Sequence, residues 1–252
     1  MTRGKMKRNI FFIVFILLIS SADHAIGNNN KHEANNLMNE ACSILQKAGG
    51  IGELEVPSGM DPFDPQRGEL LNSPQRREQI IQAIQKLKNA VALDDSLPEA
   101  YHYLGIAYVL VEEPDKALNA FQTAIEKGIQ NKSSFLISLG LCWTVKRYDE
   151  ANILIEKYKR TFFVSKEEES ILYATNYYFK GDYQRSLEYG KRVLEQMPDE
   201  LNGLIIVANS SYQLGDIKYA TEVYDKITDL YPSRKKEIEE MKKNIKPKVE
   251  QK

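Results

Sequence analysis

The chain has 252 residues, enough for one or two domains. Lys plus Arg number 34 and Asp plus Glu 35, a balance that excludes a strongly basic nucleic-acid binder and an acidic disordered tail. Two cysteines are too few for a disulfide scaffold or a cysteine-rich zinc module, and three histidines leave little material for metal or acid–base chemistry.

The N-terminus reads as an address. Arg3, Lys5, Lys7 and Arg8 form a positive cluster, and Ile10 to Ile19 follow as an apolar run. The uncharged stretch 10–22 spans roughly 20 Å as a helix, short of a bilayer core near 30 Å. A basic start, a short apolar run and small residues predict a secretory signal peptide over 1–22, cleaved after Ala22. The alternative is an uncleaved signal anchor. Removing 1–22 takes away four basic and no acidic residues, leaving 30 basic against 35 acidic. An exported protein in a bacterial periplasm or cell envelope is the expectation. Cys42 and Cys142 sit in apolar helical patterns and read as free core thiols.

Residues 23–32 are expected to be disordered. Residues 33–48 read as an amphipathic helix with Leu37, Ala41, Ile44, Leu45 and Ala48 as its apolar stripe. The stretch 49–74 is rich in Gly and Pro and reads as an irregular loop. Its apolar anchors favour packing of the 33–48 helix on the helix that holds Ala83, with a flexible tether as the alternative. Asp61 and Asp64 in this loop lack the further oxygen ligands of a calcium site and read as turn chemistry.

From residue 75 the chain repeats itself. Ala83, Ala117, Ala151, Ser186 and Ala220 recur at intervals of 34 or 35 residues. Leu87, Phe121, Ile155, Gly190 and Tyr224 follow four residues later, and Ala90, Ala124, Tyr158, Val193 and Ile227 seven residues later. Offsets of 0, 4 and 7 lie on one helical face, so each set marks the second helix of a pair. First helices precede them at Tyr101–Tyr108, Leu139-Gly140 with Trp143, Tyr173-Ala174 with Tyr177, and Val207-Ala208 with Ser211. Gly181 and Gly215 open two of the joining turns, Arg147-Tyr148-Asp149 reads as a third, and Pro198 and Pro232 close two repeats. A half repeat over 75–97, four repeats over 98–232 and a capping helix with a frayed tail over 233–252 complete the organisation. Ser233 is expected to cap that last helix.

These residues resemble the tetratricopeptide repeat family, whose pattern is W-x2-L-G-x2-Y, then A-x3-F, then Pro. Tyr101, Leu104, Gly105, Tyr108, Ala117, Phe121 and Ala124 carry the match, with Tyr in place of the first Trp. The resemblance implies an all-α fold, a right-handed α-solenoid of stacked helix–turn–helix pairs. Gly105, Tyr108, Ala117, Phe121, Ala124, Ala151, Ser186, Ala220 and Tyr224 are its repeat-packing residues.

The resemblance also implies a concave groove lined by first helices that binds extended peptides or a partner's helix. The family positions fall on His102, Ile106 and Val109, then Ile137, Leu141 and Thr144, where the turn reads as one residue shorter. Next come Ile171, Thr175 and Tyr178, then Ile205, Asn209 and Tyr212. Members that clamp a C-terminal carboxylate use Lys, Asn and Arg here; only Asn209 is of that type, which argues against an acidic chaperone tail.

Catalytic chemistry is not in view. His24 and His32 lie beside the export segment and His102 has no partner at a recognisable motif spacing, while Glu167-Glu168-Glu169 reads as the solvated start of a helix. The expectation is a non-enzymatic protein–protein interaction scaffold of the cell envelope, with no cofactor and no metal. Its partner is an apolar or aromatic segment of another protein, with Tyr178 and Tyr212 as anchors, and not nucleic acid. The alternatives are a self-associating structural module, or an assembly or secretion accessory anchored by an uncleaved N-terminus.

Overall fold

The computed structural model describes residues 29–48 and 73–244. The expected signal peptide, most of the Gly/Pro-rich loop and the frayed end after 244 lie outside the described residues. Among the described residues there are eleven α-helices, one 3-10 turn and no strand. They fall into two compact units, the first ending at Val145 and the second beginning at Lys146.

The first unit holds α1 (Asn29–Lys47), α2 (Pro74–Leu93), α3 (Pro98–Leu110), α4 (Pro114–Glu126) and α5 (Lys132–Thr144). Proline stands at the first helical position of α2, α3 and α4, where its missing N–H has no helical partner to lose. Helix α1 begins four residues earlier than the sequence implied, so 29–32 are helical rather than disordered. The buried stripe begins only at Ala34, which continues Ala41, Leu45 and Ala48 toward the N-terminus, and Lys31, His32 and Glu33 before it are exposed.

Helix α1 lies against α2, and Ala41, Leu45 and Ala48 join Ile80, Ala83, Ile84 and Leu87 in one core. It supplies the first-helix partner that the Ala83 helix needs, although their sequences are separated by the 49–72 segment. The same core runs on through Ala100, Leu104, Ala107 and Val111. Cys42 and Cys142 are free thiols, and burial raises the Cys42 thiol pKa to about 11.

The second unit holds α6 (Tyr148–Phe162), α7 (Lys166–Lys180), α8 (Tyr183–Gln196), α9 (Leu201–Gln213) and α10 (Ile217–Leu230), then a 3-10 turn at Pro232–Arg234 and α11 (Lys235–Asn244). Ser233 lies inside that turn, so it does not cap the last helix. Pro232 tightens the chain there before α11 begins. Ile238 is buried in one cluster with Ala220, Val223 and Tyr224, with Met241 packed against it, so α11 covers α10 with one face.

All fifteen recurrent positions of the second helices are buried, each apolar one at no more than 2% exposure. Small residues set the close approaches. A β-carbon on Gly105 would stand 2.7 Å from the Phe121 ring, and one on Gly190 would stand 2.8 Å from Ile206. Where the small residue is Ser186, its hydroxyl meets the Ser210 hydroxyl at 2.9 Å, which satisfies both inside the core.

Candidate partner-binding faces

Four inter-helix turns share one backbone feature. Glu112, Lys146, Gly181 and Gly215 have φ of 62°, 63°, 88° and 91°, the left-handed conformation that ends a helix. They stand 34, 35 and 34 residues apart, so they mark equivalent points of successive repeats. In the two glycine turns the next residue, Asp182 or Asp216, caps the following helix through its side chain.

This correspondence corrects the second repeat by one residue. The turns at Val111–Glu113 and Val145–Arg147 have the same length, and Tyr148 already belongs to α6. Phe135, Ser138, Leu139 and Cys142 therefore take the places of Tyr101, Leu104, Gly105 and Tyr108, and all four are at most 1% exposed. The Leu139-Gly140 pair imitates Leu104-Gly105 but sits one place late. The residues equivalent to His102, Ile106 and Val109 are Leu136, Gly140 and Trp143, not Ile137, Leu141 and Thr144. Ile137 and Leu141 are indeed buried. Thr144 bonds back to its own helix, donating to the Gly140 carbonyl at 2.9 Å.

In the first unit, Ile106 and Val109 on α3 are half-buried, but His102 is buried. Its Nδ1 meets the Ser134 hydroxyl at 2.8 Å, and its ring packs edge-on against Phe121 at 5.6 Å. Burial lowers its pKa to about 4, so at neutral pH it is an uncharged bridge from α3 to α5. His102 is thus a packing residue, and the expected groove role does not fit its position.

In the second unit, α7 and α9 lie side by side. Ile171, Thr175 and Tyr178 on α7 and Ile205, Asn209 and Tyr212 on α9 are all half-buried. Tyr178 stands edge-on to Tyr183, with ring centroids 5.4 Å apart. The Tyr224 hydroxyl donates to Asn209 Oδ1, which ties that amide to α10. Burial pushes the phenol pKa values of Tyr178 and Tyr224 upward, so both stay neutral hydrogen-bonding groups. The six positions hold no charged residue.

The Glu167–Glu169 cluster is more than a solvated start. Tyr158 donates to Glu168 Oε1 at 2.6 Å, and Lys159 pairs with Glu169 at 2.6 Å and Glu156 at 3.0 Å. The Glu169 and Glu156 carboxylates hold the Lys159 ammonium above its ordinary pKa despite partial desolvation. Two of the three glutamates therefore tie α7 to α6. Sequence reading missed this because the partners come from the preceding helix.

Among the described residues no group of three His, Cys, Asp or Glu side chains is placed to hold a metal ion. No described helix is long and apolar enough to cross a membrane.

No protein-family model matches the chain, and no curated protein matches it. Solved structures do. MamA 41-end from Desulfovibrio magneticus RS-1 aligns with a TM-score of 0.57 at 16% identity, covering 83% of this chain and 99% of that one. A tetratricopeptide repeat protein from Parabacteroides merdae aligns with a TM-score of 0.52 at 16% identity, covering 79% of this chain and 80% of that one. At this identity the likeness is one of fold.

Proposed function

We propose that this chain, which has the fold of the tetratricopeptide repeat proteins, is a non-enzymatic scaffold that holds a segment of another protein on its first helices. The observation that carries this reading is the α7–α9 face. Six adjacent half-buried positions are apolar, aromatic or neutral polar, and none is charged. Tyr178 and Tyr212 offer rigid apolar surface with a polar tip, the side-chain type that concentrates binding energy at interfaces. Burial raises the phenol pKa of Tyr178, which keeps it a neutral hydrogen-bonding group at neutral pH. An extended apolar or aromatic segment fits this chemistry, and an acidic C-terminal tail does not, because no cation stands among the six positions.

The N-terminal sequence adds the compartment. A basic cluster, the apolar run Ile10 to Ile19 and small residues up to Ala22 support an exported protein of the cell envelope.

The test is affinity capture from envelope extract with the full chain and its Tyr178→Ala/Tyr212→Ala variant as paired baits. A protein held by the wild type and lost by the folded variant supports the reading. A partner held equally by both moves the site off α7 and α9 and overturns this placement.

A further inference from the structure

We draw no further inference here: the strongest candidate, the outer face of α6 that carries the exposed Ile153 and ends beside the exposed Phe163, is an unpartnered apolar patch, and nothing in the structure shows what covers it.

Discussion

Gly105 of α3 lies directly over the ring of Phe121 in α4: a β-carbon there would stand 2.7 Å from Cδ2 and Cε2 and 2.8 Å from Cε1. The ring is fully buried and cannot swing away. This contact sets how closely the two helices of the pair approach.

Alanine is ordinarily better than glycine inside a helix by about 1 kcal/mol. At position 105 the sign reverses. Gly105→Ala is expected to destabilise by about 1–3 kcal/mol through overpacking, read as a lower denaturation midpoint. Adding Phe121→Leu, which removes the ring beneath the new methyl, is expected to recover part of that loss. A Gly105→Ala protein as stable as wild type would mean the two helices do not meet here.

The left-handed turns give a change in the opposite direction. Lys146 holds φ of 63° where the equivalent residues of the next two repeats are glycine. A non-glycine residue in this conformation is strained by about 1–2 kcal/mol, and part of that relief is offset by the greater freedom of glycine in the unfolded chain. Lys146→Gly is expected to stabilise by about 0.5–1 kcal/mol in urea titration. A loss of stability would show that the lysine side chain contributes more than the backbone strain.

His102 makes stability depend on pH. Its folded pKa is lowered to about 4 by burial, against an unfolded value near 6.5. The unfolded chain therefore binds the proton first, and stability falls as pH drops from about 6.5 toward 4. Between pH 7 and pH 5 this one group is expected to remove about 2 kcal/mol. Denaturation of wild type and His102→Gln at both values checks it: the variant loses that share of the drop. Parallel profiles would mean the ring is hydrated in the folded protein.

Asn176 is buried, and its amide nitrogen donates to the Tyr148 carbonyl at 3.1 Å and to Asn152 Oδ1 at 2.8 Å. Asn176→Ala leaves both acceptors without this donor inside the packing of α6 and α7. The expected loss is about 1–3 kcal/mol. The double variant Asn152→Ala/Asn176→Ala is expected to lose less than the sum of the two single changes, because it removes one orphaned acceptor. Full additivity would show that the two amides act independently.

The second-helix positions were legible because each carries its signal within one helix. Offsets of 0, 4 and 7 around Ala83, Ala117, Ala151, Ser186 and Ala220 reflect a single buried face, and that face is a local property. The turn glycines at 181 and 215 were legible for the same reason. The second repeat misled the reading because Leu139-Gly140 copies a familiar pair while the buried small-residue position is occupied by Leu139. A dipeptide matched by type carries less information than the turn that follows it. His102 was misplaced because spacing assigns a face but not its depth, and depth is set by Ser134 on the next first helix.

What the sequence by itself determined is the repeat period, the helical class and the identity of the buried second-helix faces, since these follow from short-range periodicity and from where glycine and proline break it. What only the tertiary structure decided is pairing across the chain. Helix α1 meets α2 across the 49–72 segment, Glu168 and Glu169 reach back to Tyr158 and Lys159, and Phe162 turns inward while Phe163 turns out. Each of these depends on which surfaces come together once the helices are packed, and nothing in a local pattern specifies that.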